Sequence, residues 1–275
     1  MCRLFLSINR KLDRITLINF FAQSKEKKFT PGLSNPLDSD YHLDGYGVTW
    51  FDESDELTLY KSSTPYNSDG NFPDIFDQVV KSRFVLAHLR NKGTTSVGNP
   101  AITNSHPFIC GNYVLAHNGF IKNFSTCKDQ ILNFISDKYF QKICGETDTE
   151  HLFYCLLTII DNLKIKYVED GYSFEELYQM AWENLFEFFS SNSIELVGNF
   201  IFTDLKIVVV IRYISPGFTL DGLDRFIGLF VSSNPEPPSL YFCSDIAKTS
   251  VIICSEPVGQ TYTLVETNCF MTFHL

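Results

Sequence analysis

An α+β fold is what this sequence predicts, and three observations carry the prediction. Short runs rich in Val, Ile, Phe and Tyr recur along the chain, several with connections of only a few residues, which favours antiparallel neighbours. A few longer segments instead carry apolar residues at helical spacing. The chain is also plainly globular: 275 residues with 44% hydrophobic and 20% charged content are enough for a substantial buried core. Many antiparallel strands with a few long amphipathic helices read as α+β, the helices packed on sheet faces.

Taken in order, the first strand spans 2–8, where Cys2, Leu4 and Leu6 alternate. A helix is expected around 14–24. Strands follow at 45–51 (GYGVTWF), 57–62, 83–89 (RFVLAHL) and 112–117. Residues 125–136 carry Ile131, Leu132 and Ile135 at helical spacing. The helix 147–163 opens on T-D-T-E, with Thr147 and Glu150 as a capping box; the helix 173–189 opens on S-F-E-E, a second one. Strands at 194–203 and 206–214 flank Thr203-Asp204-Leu205, which reads as a hairpin turn. Further strands are expected at 240–243, 250–254 and 261–266. No repeat, low-complexity linker or boundary stands out, so one domain over 1–275 is expected, with 31–45 and 91–104 as functional loops.

Composition excludes several functions. The net charge is −10 and no basic run exceeds Lys27–Lys28, so neither nucleic acid nor an anionic membrane is an expected partner. Apolar runs such as Ile207–Ile211 fall far short of the roughly 20 residues that cross a bilayer. Leu4–Phe5–Leu6 is cut short by Ser7, Asn9, Arg10 and Lys11, unlike a secretory signal, so a cytoplasmic location is expected. The 26 Phe and 13 Tyr read as core filling. Eight cysteines are scattered without C-x-x-C pairs or zinc-site spacing, so no metal or cofactor is expected and most should be buried, reduced thiols.

The first of those cysteines raises a question. Cys2 is either a small hydrophobe beginning a strand or, once Met1 is removed, a residue carrying a thiol and a free α-amine on one carbon. Elsewhere the chemistry-bearing residues collect in A-H-L-R at 87–90, N-S-H-P-F at 104–108, A-H-N-G at 116–119 and G-E-T-D-T-E at 145–150. Singly, each has an ordinary explanation. Arg90 suits a strand end, Asn118-Gly119 suits a hairpin turn, His88 and His117 suit a satisfied core, and Asp148 suits the first turn of a helix.

Together they form the set that cleavage of a glutamine amide needs. An attacked carbonyl requires a nucleophile, supplied by Cys2, and donors for the oxyanion, supplied by the Asn118 amide and the Gly119 N–H. A free amino-acid end offers a carboxylate that an Arg fork grips, as at Arg90, and an ammonium that a carboxylate meets, as at Asp148. No His stands at a clear spacing for the base, but the α-amine of a mature Cys2, with a reference pKa near 8, serves.

These pieces, with M-C-R at the start, D-G-Y-G-V-T-W-F at 44–51, A-H-N-G-F-I at 116–121 and C-S-E-P at 254–257, resemble the class II glutamine amidotransferases, whose glutaminase domain is an N-terminal-nucleophile hydrolase. The resemblance runs in the family's order over about the whole chain. It implies a sandwich of two antiparallel sheets between helical layers, with nucleophile Cys2, oxyanion groups Asn118 and Gly119, carboxylate grip Arg90 and ammonium partner Asp148. His106, in the HPF piece, joins the substrate-binding set. The HPF and SEP pieces resemble the stand-alone branch, which includes glutathione-degrading subunits and γ-glutamyl hydrolases.

Two positions depart from the family. The run after Arg90, N-K-G-T-T-S-V-G, leaves Thr94 and Thr95 unassigned, and Thr49 replaces a common Gly; both differences are expected at the substrate mouth. The resulting expectation is an amidohydrolase acting on glutamine or, in preference, a γ-glutamyl compound. It would act alone, as a homo-oligomer or with a partner subunit. Eighteen residues follow the SEP piece, so a synthetase is expected on a separate chain if one is used. An ammonia-donating subunit and an inactive binding module of the same fold are the alternatives; a metal hydrolase is not supported by the spacings.

Overall fold

The computed structural model describes residues 2–10, 12–24, 42–91, 101–167, 171–218, 240–244, 250–258 and 262–275. Most of both expected functional loops, including Thr94 and Thr95, lies outside them. Within them the chain runs β1 (Arg3–Ile8), α1 (Arg14–Ala22), β2 (Tyr46–Phe51), β3 (Leu57–Ser62), α2 (Phe72–Val79), β4 (Phe84–Leu89), β5 (Phe108–Cys110), β6 (Tyr113–Ile121), α3 (Phe124–Phe134), α4 (Asp137–Phe140), α5 (Asp148–Tyr167) and α6 (Phe174–Ser191). It ends with β7 (Leu196–Thr203), β8 (Ile207–Ile214), β9 (Tyr241–Ser244), β10 (Val251–Cys254), β11 (Thr263–Leu264) and β12 (Cys269–His274).

Among these residues the strands form two antiparallel sheets. One has the order β11-β9-β10-β1-β4-β2-β3, the other β12-β8-β7-β6-β5. Leu4, Leu6, Phe84 and Leu86 of the first meet Val114, Ala116, Ile201 and Val210 of the second in a dry layer between the sheets. The first sheet's outer face buries Phe5, Val48, Trp50 and Val85 against Leu17, Phe20 and Phe21 of α1 and Phe76 of α2. The second sheet's outer face buries Leu115, Phe200 and Phe202 under α3, α5 and α6. Strands buried on both sides lose the polar alternation of a half-exposed sheet, which is why they read as continuous apolar runs. The expected four layers, helix–sheet–sheet–helix, are present.

Local chemistry explains most element ends. Asp13 caps α1 by accepting from Thr16 N at 2.7 Å. At α6 the box is complete, the Glu176 carboxylate accepting from Ser173 N at 2.9 Å while Ser173 Oγ accepts from Glu176 N at 3.3 Å. At α5 only half the expected box forms. Thr147 Oγ1 accepts from Glu150 N at 3.3 Å, but the Glu150 carboxylate turns back to Cys144 N (2.9 Å) and Gly145 N (2.6 Å), tying down the approach to the helix. The β7–β8 turn is held by Asp204, whose Oδ1 accepts from Lys206 N and Ile207 N at 2.9 and 2.8 Å.

Other expectations need correction. Asn118-Gly119 is no turn: β6 runs straight through it to Ile121, paired with β7 from Val114↔Thr203 to Ile121↔Leu196. Thr49 sits within β2 opposite Leu86, its hydroxyl on Thr58 O at 2.7 Å, in the row of Leu6 and well inside any mouth near Cys2. Of the eight free cysteines only Cys127, Cys155 and Cys254 are buried, and Cys144 is exposed. Elements α2, α4, β5 and β12 were not foreseen.

Gly47 shows how tightly the sheets meet. A Cβ there would lie 2.0 Å from the His106 carbonyl oxygen, a backbone atom that cannot swing aside. Gly47→Ala is therefore expected to destabilise the fold by about 3 kcal/mol or more, at the upper end of overpacking costs, read as a lowered urea midpoint. A midpoint equal to wild type would show that the two segments are not in contact.

Candidate active site

Cys2 immediately precedes β1, and the register Arg3↔Leu89 sets it opposite Arg90, the residue after β4. Leu4 and Leu6 line the layer between the sheets, and the period of two puts Cys2 on that same face. The Cys2 thiol meets the Asn91 backbone: Sγ accepts from Asn91 N at 3.4 Å and donates to Asn91 O at 3.5 Å. Burial pushes the thiol above its ordinary pKa, opposed by the Asn91 N–H and the charges of Arg90 and Arg3. A thiol held up in this way needs a base beside it to react at neutral pH. Arg90 is no surface charge. It is 4% exposed, and its backbone is tied to Gly45 O (2.9 Å) and Asp44 N (3.3 Å).

The facing sheet contributes Asn118 and Gly119 from β6. Asn118 has even parity with Val114 and Ala116, so it shares their inter-sheet face, and its Nδ2 donates to Ser255 Oγ at 3.1 Å. Gly119 must be glycine, since a Cβ would fall 2.0 Å from Val197 O and 2.6 Å from His117 Nε2. His117 takes that outer side, its ring stacked on Phe200 at 4.4 Å and its Nδ1 2.9 Å from Thr149 Oγ1. Burial lowers it to about 3, so it is neutral.

Asp148 opens α5 and does belong to a helix first turn, its Oδ1 accepting from Thr149 N at 2.8 Å. Its Oδ2 reaches further, accepting from Ile121 N at 2.8 Å just past Gly119. Burial pushes this half-buried carboxyl above the usual range, against those hydrogen bonds. His106 is packed inside, its ring 4.2 Å from His88 and 4.9 Å from Phe108. Burial holds both histidines well below their ordinary pKa, hence neutral. His88 is a buried core histidine, 1% exposed. No group of His, Cys, Asp and Glu able to hold a metal occurs among those residues, and none of their helices is long and apolar enough to cross a membrane.

Residues 28–216 match the family model for class II glutamine amidotransferases. The chain belongs to that family. It is 30% identical over 174 residues to the probable glutamine amidotransferase DUG3 of Saccharomyces cerevisiae, covering 59% of this chain and 46% of that protein. It is 29% identical over 162 residues to a putative glutamine amidotransferase of Haemophilus influenzae, covering 56% and 51%. The chain thus spans about half the length of the curated relatives it matches. Among solved structures, a class II domain protein from Silicibacter pomeroyi shares the fold over 98% of this chain and 94% of that one, with TM-score 0.57 and 21% identity. The allosteric regulatory enzyme of purine biosynthesis covers 100% of this chain and 47% of that one, with TM-score 0.59 and 15% identity.

Sequence reasoning missed the groups that brace Cys2. Arg3 donates from Nη1 to the Cys2 carbonyl at 3.2 Å and forms a buried ion pair with Glu256. Lys61 carried no signal either. Its ammonium lies 4.9 Å from the Phe108 ring centroid, and burial lowers it to about 8 against the pull of Glu150. The R of M-C-R and the E of the SEP piece both stand in the family pieces, but nothing in the sequence paired them. Removing one partner of a buried pair strands the other's charge, which costs about 3–5 kcal/mol. Glu256→Gln is expected to lower stability by that amount in urea titration; a loss below about 1 kcal/mol would place the pair in water.

Proposed function

We propose that this chain is a cysteine amidohydrolase cleaving the γ-amide of glutamine or a γ-glutamyl compound through a γ-glutamyl thioester on Cys2, with Met1 removed in the active form. The observation that carries the reading is the thiol at the head of β1, in register with buried Arg90 and facing the sheet that bears Asn118 and Gly119. The α-amine of Cys2 takes the thiol proton as sulfur bonds to the carbonyl carbon and the π pair moves to oxygen. Asn118 Nδ2 and the Gly119 N–H stabilise that oxyanion. Collapse breaks the C–N bond, the leaving amine taking the proton from the α-ammonium. Water, deprotonated by the same amine, then opens the thioester to release glutamate and the thiol. Arg90 holds the substrate carboxylate and Asp148 its ammonium, with His106, a neutral ring, completing the substrate-binding set.

The polar, lightly charged sequences 31–45 and 91–104 favour a γ-glutamyl amide with a substituent on nitrogen over free glutamine. Side-by-side kcat/KM values for glutamine and several γ-glutamyl dipeptides test that choice. A clear preference for glutamine, or activity only with a synthetase added, would favour the ammonia-donor role.

Cys2→Ser is expected to keep the thermal transition and lose nearly all glutamate release, because an alkoxide is much harder to form than a thiolate; Cys110→Ser and Cys144→Ser should match wild type. Intact mass should show Cys2 at the amino terminus of active protein. Full activity with Met1 retained would defeat the mechanism.

Asp148 touches a part of the substrate that does not react, so Asp148→Ala is expected to raise KM most, at a cost of about 2–5 kcal/mol in kcat/KM. The Asp148 carboxyl binds ammonium only when ionised. Since burial raises its pKa, kcat/KM should fall as pH drops through a point above the ordinary carboxylate range. Kinetics unchanged by the substitution would return Asp148 to a purely helix-capping part.

A further inference from the structure

Ser255, in the C-S-E-P segment after β10, takes no part in the chemistry above, yet its hydroxyl stands between the two halves of the site. Its Oγ accepts from Leu4 N at 2.9 Å and from Asn118 Nδ2 at 3.1 Å, and its own N–H donates to Leu4 O at 3.0 Å. Leu4 lies two residues along the strand from Cys2, whereas Asn118 belongs to the opposite sheet. Ser255 is 3% exposed and Asn118 2%, so water does not compete for these bonds.

The consequence follows from the shape of a primary amide. Its two N–H bonds form a planar fork, so anchoring one sets the direction of the other. Unanchored, the amide turns about a broad, roughly two-fold torsion and can present its oxygen where its nitrogen was. An oxygen aimed at a developing oxyanion repels it; an N–H stabilises it. The same hydroxyl also gauges the separation between the donor's sheet and the strand of the nucleophile.

We infer that Ser255 is a positioning residue. It holds Asn118 with one N–H on Ser255 Oγ and the other turned to the oxyanion of the tetrahedral intermediate, at a spacing fixed by the bond to Leu4. This deepens the amidohydrolase reading and rests on it.

The test uses the full chain and five proteins: wild type, Ser255→Ala, Asn118→Ala, the double variant and Cys2→Ala. Glutamate release is followed on whichever of glutamine and the γ-glutamyl dipeptides wild type turns over, together with Cys2 alkylation by iodoacetamide and thermal unfolding. Alkylation reports the thiol but needs no oxyanion donor. Ser255→Ala is expected to lower kcat about 10- to 100-fold, a share of the roughly 10²–10³ lost with a whole oxyanion donor, while KM and the alkylation rate stay within about twofold. Added to Asn118→Ala, it should change kcat by less than about twofold, because the group it acts through is already gone. An unchanged kcat in Ser255→Ala, an equal loss in both backgrounds, or loss of the thermal transition would each overturn the positioning role. Absence of glutamate release from wild type, or release that survives Cys2→Ala, would instead fell the amidohydrolase reading itself.

Discussion

The register between β1 and β4 is the constraint on which the site depends. Pairing Arg3 with Leu89 places Cys2 opposite Arg90, and every pair behind them follows, from Leu4↔His88 to Ile8↔Phe84. A slip of one residue would turn each side chain to the other face. Leu4 and Leu6 would then leave the inter-sheet layer, and Arg3 would enter it without Glu256. Because β1 is buried on both faces, no register but this one keeps both the apolar layers and the ion pair. The stability of the core and the alignment of the site are therefore the same requirement.

Burial then sets the protonation states. The interior that excludes water from His88, His106 and His117 keeps all three rings neutral, so none adds like charge beside Arg90. The same desolvation raises the Cys2 thiol and the Asp148 carboxyl. Each raised group has compensating contacts, the Asn91 N–H for sulfur and the Ile121 and Thr149 N–H groups for the carboxylate. Dry surroundings are what make a hydrogen-bond donor effective on a developing oxyanion, and their cost appears as these shifts.

Much of this was legible in the sequence where the signal is local. Ser173 and Glu176 announce α6, and Asp204 announces the β7–β8 turn, since each acts on neighbours a few residues away. Local signals also misled. Asn118-Gly119 has the chemistry of a turn, but pairing with β7 on one side and packing of His117 over Gly119 hold it extended, tertiary contacts overriding propensity. α2 is short, opening F-P-D, and β12 is an edge strand with mixed burial, so neither shows a clean period. Thr147-Glu150 predicted the start of α5 correctly but not the partners of Glu150, which lie on the preceding turn. Ser255 and Glu256 act across more than a hundred residues, and no periodicity reports that.

Chain topology explains why those distant residues arrive where they do. β1 is central in its sheet, with β4 on one side and β10 on the other. Each neighbour runs antiparallel to β1, so the end of β4 delivers Arg90 and the end of β10 delivers Ser255 and Glu256 to the start of β1. The first residues of a chain ordinarily fray. Here they are clamped from both flanks and from above by β6 through Asn118, with Arg3 fastened to the Cys2 carbonyl. A nucleophile whose own α-amine is proposed as its base needs both groups held in one geometry. A central strand provides that rigidity where a terminal loop does not.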